Sequence, residues 1–240
     1  MPHASLDPEE RRVKAEKIER LLRLGDRDQS IELLEIGTGS GAIAHHFATL
    51  PGHDFRVRAV DVIDQVTVAK VFEFQLVEDT RLPFEDFEFD VVISNHVLEH
   101  VGDRKNQLSH LREIGRVLKP DGIGYLATPN RWAFVEPHYR LVGLSWLPER
   151  WRTSYLRLTG RGELYDCAPL SRRRLESLIV GAGLRVEYLD AAAVRATLDI
   201  KDSRSLVRRF ASLLPDSWIR AAGPLLPTHV CRLRHDGEIR

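Results

Sequence analysis

A chain of 240 residues, 43% of them hydrophobic, is long enough for a single α/β domain that carries an insertion. Lys plus Arg and Asp plus Glu each number 35, so no net charge draws the protein to nucleic acid or to an anionic membrane. The sequence has no signal-peptide core, no run near the roughly 18 apolar residues of a membrane span, and two cysteines too far apart for a disulfide framework, which together predict a cytoplasmic protein.

Residues 1–30 predict a helix that ends near Gly25 and covers the domain that follows. Val13, Ile18 and Leu21 recur at helical spacing, so one side of this helix is apolar. Two roles remain open for it: packing on the domain, and covering a bound ligand.

Three alternating glycines follow a predicted buried strand in the segment Leu33–Gly41, which reads LLEIGTGSG. Glycines allow a sharp turn and close approach of a ligand, and the helix predicted next offers unpaired backbone N–H groups. The loop therefore predicts a nucleotide-type cofactor site.

The sequence of the loop leaves two cofactor classes open. Gly37, Gly39 and Ala42 also fit the G-x-G-x-x-G/A fingerprint of nicotinamide-binding proteins. Glu35 favours a cationic ligand instead, since a pyrophosphate has no use for a carboxylate at the strand tip.

Three further strands are predicted from apolar runs. The second strand, residues 55–62, ends in Asp61 about 20 residues past the glycines, where an acid can accept both ribose hydroxyls. Residues 74–80 are interpreted as the third strand and the loop that follows it. The fourth, residues 89–95, leads into residues 96–101, which read HVLEHV.

The rest of the chain continues the alternation of strands and helices, which predicts parallel βαβ units with ligand sites at the carboxyl ends of the strands. The remaining predicted elements are a helix over 106–119 ended by Pro120, a fifth strand beginning near Gly124, a helix capped by Ser171, a strand over 184–189, a helix around Val207–Leu214 ended by Pro215, and a final antiparallel edge strand over 228–234.

Residues 131–170 form a connection far longer than most. We predict that this segment is an inserted acceptor lid, in which aromatic faces bury an apolar or ring-shaped acceptor over the open end of the cofactor site. The alternative is that its aromatic residues pack a small satellite core or an oligomer contact. Within it, residues 142–147 lie next to basic residues and can touch a membrane surface, although they are too few to anchor there alone. The aromatic residues are Trp132, Phe134, Tyr139, Trp146, Trp151, Tyr155 and Tyr165.

Taken in this order, the segments resemble the class I S-adenosylmethionine-dependent methyltransferases of the small-molecule type. Residues 35–41 resemble the Glu-x-Gly-x-Gly-x-Gly motif of that family, residues 98–101 (LEHV) the segment after its fourth strand, and residues 119–122 (KPDG) the turn before its fifth. The resemblance covers roughly residues 31–130. It implies an α/β, Rossmann-like fold with a seven-stranded, mostly parallel sheet and helices on both faces. It also implies S-adenosyl-L-methionine as cofactor and S-adenosyl-L-homocysteine as product.

The resemblance also implies the residues that contact the cofactor. Asp61 is expected to hold the ribose, Asp79 with Thr80 to meet the adenine, and Glu35 to act through the ammonium end of the methionine. The full set of cofactor-binding residues that it implies is Glu35, Gly37, Thr38, Gly39, Gly41, Asp61, Val62, Asp79, Thr80 and Asn95.

Methyl transfer depends chiefly on alignment and needs a base only for a weak nucleophile such as a hydroxyl. His96 and His138 are the candidate catalytic residues, with His100 as a further candidate, because imidazole titrates near neutral pH. His96, Glu99 and His100, with His138 downstream, also have the residue types of a metal site. The arrangement is similar to the Glu-x-x-Glu-His of small-RNA terminal ribose methyltransferases and some ubiquinone-pathway O-methyltransferases, but His96 replaces the first Glu. We expect no functional metal.

The expected function is transfer of a methyl group to a small-molecule acceptor, at a hydroxyl oxygen on a natural product, a sugar or a lipid-linked intermediate. Two alternatives remain: a nicotinamide-dependent oxidoreductase, and a catalytically silent cofactor-binding protein of the same fold. Nucleic acid is not an expected partner, since basic runs such as residues 172–174 are typical of a solvated helix face. Stable membrane insertion is not expected, whereas peripheral membrane contact and the oligomeric state stay open.

Overall fold

Seven strands form the central sheet of the protein, for which a computed structural model describes residues 8–24, 30–200 and 214–237. The first five sheet strands in chain order run parallel, and β9 runs antiparallel to both of its neighbours, β5 and β8. This confirms the predicted seven-stranded, mostly parallel sheet. In sheet order the strands are β3 (Glu73–Leu76), β2 (Phe55–Asp61), β1 (Ile31–Ile36), β4 (Phe89–Asn95), β5 (Leu118–Pro129), β9 (Thr228–His235) and β8 (Leu184–Tyr188).

Helices cover both faces of the sheet because neighbouring strand residues point to opposite sides. Leu33 packs in a cluster with the helices of one face, and Leu34 in a second cluster with the helices of the other. The first face carries α1 (Pro8–Leu22), α2 (Ala42–Ala48) and α6 (Asp190–Ile200), and the second carries α3 (Arg104–Val117) and α5 (Arg172–Gly181). One further helix, α7 (Asp216–Ala222), packs on α6.

The predicted N-terminal helix is present as α1. Its apolar side buries Ala15, Ile18 and Leu21 in the first core cluster. Residues 1–7 and 25–29, which belong to the predicted N-terminal cover, lie outside the described part of the chain. Within the described residues, α1 therefore packs on the domain, and its role as a cover for a bound ligand stays a prediction.

Several predicted boundaries differ from the structure. Helix α3 ends at Val117 rather than at residue 119, because the residue before Pro120 is biased towards extended backbone and the chain enters β5 at Leu118. The third strand begins one residue earlier than predicted, at Glu73, and residues 77–80 belong to the loop after Leu76. Ser171 stands at the N-cap of α5, but its side chain makes no capping hydrogen bond.

The final strand is antiparallel as predicted, but the prediction of an edge strand is wrong. β9 pairs with β5 on one side and β8 on the other, which leaves β8 at the edge. Val230, Cys231 and Leu233 of β9 are buried, so this strand belongs to the core despite its polar alternation. Helices α6 and α7 were not expected from the sequence. The helix predicted around residues 207–214 falls almost wholly outside the described residues.

Residues 131–170 fold as a separate unit against the end of the sheet. This insert contains a two-stranded hairpin of β6 (Val135–Glu136) and β7 (Leu141–Val142), a single 3-10 turn, and α4 (Glu149–Leu158). Leu141, Leu144 and Leu156 form its own small core, against which three tyrosines of the insert pack. Within the described residues, no helix is both long enough and apolar enough to cross a membrane.

Candidate active site

A cleft of about 1260 Å³ lies at the carboxyl ends of the parallel strands. Its walls are the loops after β1, β2, β3 and β4, together with α1 and the β6–β7 turn. This volume exceeds the roughly 300 to 1000 Å³ of most small-molecule sites, so a cofactor and a second small molecule fit together. The predicted site residues that line it are Glu35, Gly37, Thr38, Gly39, Asp61, Val62, Asp79, Thr80, Asn95, His96 and His138.

Gly41 is the one residue of the predicted cofactor set that does not line this cleft. A Cβ on Gly41 would lie 2.8 Å from Phe72 Cζ and 3.1 Å from methyl carbons of Val66 and Val68. The third glycine of the loop therefore serves close packing of the protein against itself, and its predicted contact with the cofactor stays a prediction. The sequence motif does not distinguish these two needs.

Gly37 and Gly39 shape the loop that faces the cleft. Both have positive φ angles, +71° and +56°. A Cβ on Gly37 would lie 2.4 Å from Val97 Cγ2, so a side chain there has no room, whereas a Cβ on Gly39 would meet only the Arg11 guanidinium at 3.8 Å. Gly39 is thus the point where the backbone is open to a ligand.

Asp61 joins two of the loops that form the cleft. Its Oδ2 accepts a hydrogen bond of 2.7 Å from the backbone N–H of Gly39, and its Oδ1 accepts one of 2.7 Å from that of Val62. The carboxylate is held at the carboxyl end of β2, as the sequence predicts. Across the cleft, Asp79 Oδ1 accepts from the backbone N–H of Arg81 at 2.7 Å.

Glu35 has protein partners that the sequence did not indicate. Its buried Oε2 accepts hydrogen bonds from Thr38 Oγ1 at 2.6 Å and from the backbone N–H of Ala44, in the first turn of α2, at 2.9 Å. Burial raises the pKa of Glu35 to about 7, although these two hydrogen bonds act in the opposite direction. The side chain therefore holds the glycine loop and the start of α2 together while also lining the cleft.

A cluster of histidines and carboxylates occupies the cleft where β4 ends. Glu99 Oε1 lies 3.2 Å from His96 Nδ1 and 3.5 Å from His138 Nε2, and Glu99 Oε2 accepts a hydrogen bond of 3.0 Å from Thr128 Oγ1. His138 Nδ1 lies 2.9 Å from Glu136 Oε1. We call Glu136, His138, Glu99 and His96 the histidine relay.

The relay sets the charges of its members. Burial favours the neutral form of Glu99, but hydrogen bonds to His138 and His96 outweigh it and hold the pKa of that carboxyl below its usual range. Burial likewise lowers the pKa of His138, yet the contacts with Glu136 and Glu99 raise it to about 9. At neutral pH His138 is therefore a cation, and its charge offsets that of the fully buried Glu99.

Two features of the relay could not be predicted from the sequence. Glu136 and Thr128 reach it from the insert and from the end of β5, and no local motif marks either as a partner of Glu99. His96 itself has a φ of +61°, which is uncommon for a residue other than glycine and often marks a functional position.

Among the residues that the structure describes, two sets of side chains could hold a metal ion. The ligand atoms of His96, Glu99 and His138 lie within 4.8 Å of one another, and so do those of His100, His138 and Cys167. Imidazole, carboxylate and thiol ligands suit a transition metal better than magnesium. The absence of a functional metal stays a prediction.

The aromatic residues of the insert do not line the cleft. Tyr139, Tyr155 and Tyr165 pack on the small core of the insert, as the alternative reading of these aromatics predicted. The tryptophans at 132, 146 and 151 and Phe134 are each between 45% and 64% exposed. What the insert contributes to the cleft is the turn with Pro137, His138 and Arg140. That the insert acts as an acceptor lid stays a prediction, but its aromatic side chains do not form the lining that was predicted for it.

Comparisons with known proteins agree with this geometry. Residues 34–126 match the family model described as a methyltransferase domain. A protein of Mycolicibacterium smegmatis named a probable S-adenosylmethionine-dependent methyltransferase is 36% identical over 118 residues, which cover 47% of this chain and 43% of the relative. The ubiquinone biosynthesis O-methyltransferase of Paramagnetospirillum magneticum is 31% identical over 137 residues, covering 50% of this chain and 51% of the relative. The chain thus spans only about half the length of these relatives.

Solved structures share the fold at low sequence identity. The candidate methyltransferase in a complex with the Haloferax volcanii Trm112 methyltransferase activator has a TM-score of 0.57 at 19% identity, over 94% of this chain and 91% of that one. The [4+2]-cyclase SpnF has a TM-score of 0.55 at 17% identity, over 94% and 81%. Residues 34–126 are thus similar to the methyltransferase domain of class I S-adenosylmethionine-dependent enzymes, and the seven-stranded sheet shares the fold of these solved structures.

Proposed function

We propose that this protein transfers a methyl group from S-adenosylmethionine to a hydroxyl oxygen of a small molecule in the cytoplasm. The observation that carries the proposal is the histidine relay, which stands in the same cleft as the glycine loop and Asp61. A relay that ends in an imidazole suits an acceptor that must lose a proton when it is methylated. A hydroxyl must lose one, whereas a neutral amine or a thiolate can attack the methyl group without a base.

The cleft residues fit the cofactor. Asp61 offers carboxylate oxygens at the end of β2, where ribose hydroxyls are bound in related sheets. Gly39 leaves the backbone open, and the buried Ser40 Oγ, which lines the cleft, has no hydrogen-bond partner among the described residues. When bound, S-adenosylmethionine supplies a methyl group made electrophilic by its sulfonium.

The chain's own residues then have two tasks, to align the acceptor and to take its proton. His96 Nδ1 is engaged with Glu99, so Nε2 is the nitrogen that would accept the proton that an acceptor hydroxyl loses when it is methylated. The Glu99 carboxylate stabilises the imidazolium that forms. His138, already a cation, acts as a positioning residue for Glu99 instead of a base, which revises its expected catalytic role.

The similarity to ubiquinone biosynthesis O-methyltransferases supports an oxygen acceptor, although those relatives match over only half of their length. Glu35 argues against a nicotinamide cofactor. The third candidate, a protein that binds the cofactor but transfers no methyl group, keeps support from one neighbour of the same fold that is named a [4+2]-cyclase.

Calorimetric titration with S-adenosylhomocysteine, beside NAD, tests the cofactor assignment first. We expect micromolar binding of S-adenosylhomocysteine alone, abolished in Asp61→Ala and weakened in Asp61→Asn, which keeps one acceptor oxygen. Binding of NAD alone would refute the proposal. A following screen of hydroxylated acceptors with labelled cofactor distinguishes a methyltransferase from a silent binder, for which every acceptor stays unlabelled.

A further inference from the structure

The insert carries an exposed apolar surface on the β6–β7 hairpin and the turn that follows it. We call Phe134, Val135, Val142 and Trp146 the hairpin patch; their side chains are 64%, 41%, 51% and 45% exposed. The rings of Phe134 and Trp146 meet edge to face with centroids 5.9 Å apart. From this patch and the charges around it we infer that the insert docks on the surface of an anionic lipid bilayer.

The hairpin patch is held rigidly and is not a badly packed core. Val135 pairs with Val142 across the hairpin, and the backbone N–H of Gly143 donates to Phe134 O at 2.9 Å. Tyr155 Oη donates to Val142 O at 3.3 Å. Since the inner side of the insert is already filled by its own small core, the outward apolar side chains need a different explanation, and large exposed apolar patches mark interaction sites.

The charged residues around the hairpin patch indicate which kind of partner it binds. Residues 131–170 contain six arginines, three glutamates and one aspartate, in a chain whose net charge is zero. Arg152 and Glu136 are buried, so five arginines stand against three acidic residues at the surface of the insert. Arg131 and Arg150 lie over the rings of Trp132 and Trp151 at 5.9 and 5.6 Å. The exposed face of the insert is therefore locally basic.

Exposed tryptophan, phenylalanine and arginine side chains together suit the interface of an anionic bilayer. Indole and phenyl rings sit at the level of the headgroups, and each basic residue near an anionic surface contributes about 1 kcal/mol. A symmetric contact with a second copy of this chain would instead bring two basic faces together, which is unfavourable. The bilayer is therefore the occupant that the charges favour.

Docking would also bring the bilayer close to the cleft. The strands of this hairpin carry the patch, and its turn carries Pro137, His138 and Arg140, which line the cleft. An acceptor with an apolar tail in the membrane could present its hydroxyl to the relay without leaving the bilayer. This choice of acceptor class rests on the proposed function, whereas the docking surface does not.

Flotation with lipid vesicles tests the docking surface on the full-length protein. Vesicles of phosphatidylcholine with about 30% phosphatidylglycerol should bind the protein, and pure phosphatidylcholine vesicles should bind it far more weakly. Added salt should release it, because screening weakens the attraction. The double variant Phe134→Ser/Trp146→Ser should lose at least about tenfold in vesicle affinity.

A matched control is Trp218→Ser in α7, which removes an indole that is 68% exposed but lies outside the insert. This control should bind vesicles like the wild type, and circular dichroism should show both variants folded. Equal vesicle binding by the double variant and the wild type, or no binding by the wild type, would overturn the inference. So would a dimer that dissociates in the double variant, since the patch would then be a contact between copies. Calorimetry with S-adenosylhomocysteine reports separately on the proposed function, so either idea can fail alone.

Discussion

His138 holds a positive charge because two carboxylates face its two ring nitrogens. Its pKa, about 9, is above the usual 6.5, so the charged form stabilises the fold. That contribution is complete below about pH 6.5 and is lost as the pH rises through 9. We expect thermal stability to fall between pH 7 and 9.5 more steeply in the wild type than in His138→Gln, measured in chelator. Parallel falls in the two proteins would show that His138 is not charged at neutral pH.

His96 is the group that we expect to take the acceptor proton. His96→Asn is the variant to use, because asparagine tolerates the positive φ of this position better than most residues. It should lower kcat on the identified acceptor by about 10² to 10⁴, with affinity for S-adenosylhomocysteine unchanged. A loss in cofactor affinity of the same size would assign His96 to cofactor binding instead.

Glu99 already has the His138 cation, the His96 imidazole and the Thr128 hydroxyl as partners. A metal ion is therefore not needed to stabilise the buried carboxylate. We expect protein treated with a strong chelator to keep its methyl-transfer activity, and metal analysis of the purified protein to find no equivalent of zinc. Activity that is lost with chelator and restored by zinc would instead identify His96, Glu99 and His138 as ligands.

Among the connecting elements, the glycine loop after β1 and the turn before β2 each contain a glycine with the same backbone conformation but different surroundings. Gly41 and Gly52 share a φ of +79°, yet a Cβ on Gly41 would meet Phe72, Val66 and Val68, and a Cβ on Gly52 would meet nothing within 4 Å. Gly52→Ala therefore measures the cost of the left-handed backbone alone, about 1 kcal/mol. Gly41→Ala should cost about 2 to 4 kcal/mol, because the packing strain adds to the backbone strain. Denaturant unfolding checks both, and equal losses would contradict the packing role of Gly41.

An element could be predicted when its own residues determine it, and could not be when contacts with distant segments determine it. Strands β1 and β4 were predicted because buried parallel strands are apolar along their whole length, which is a local signal. β9 is an interior strand only because β8 pairs with the side of β9 that does not face β5. The polar alternation within β9 itself predicted an edge strand. The place of the Glu35 carboxylate was predicted from its motif, whereas its contact with Ala44 depends on how α2 folds back.

The histidine relay shows the same limit. His96 and Glu99 lie in one contiguous segment, so both could be named as candidate residues from the sequence. Glu136 reaches Glu99 only through His138, in an insert whose packing no periodicity described. The aromatic residues of that insert were predicted to line the cleft. Amino-acid composition does not determine which side of a hairpin faces the cleft, so this prediction had no local support.

At the scale of the whole molecule, the cleft is closed on one side by α1, which packs on α2 and α6. The helix has two faces: Ala15, Ile18 and Leu21 are buried in the core, while Arg11 and Lys14 line the cleft with their neighbours on the same side. A ligand in the cleft therefore contacts a helix that the core already holds. This arrangement couples cofactor binding to the stability of the N-terminal helix.

We expect S-adenosylhomocysteine at about 100 times its dissociation constant to stabilise the fold by about 2.7 kcal/mol, which raises the melting temperature of a chain of this size by roughly 5 to 10 °C. Hydrogen exchange should then slow together in α1 and in the loops after β1 and β2, while α4, which does not line the cleft, exchanges as before. The variant Asp61→Ala, with the same ligand concentration, is the control and should show neither change. Protection confined to the glycine loop would mean that α1 packs on the domain without taking part in the cofactor site, because a helix that contacts the ligand cannot open independently of it.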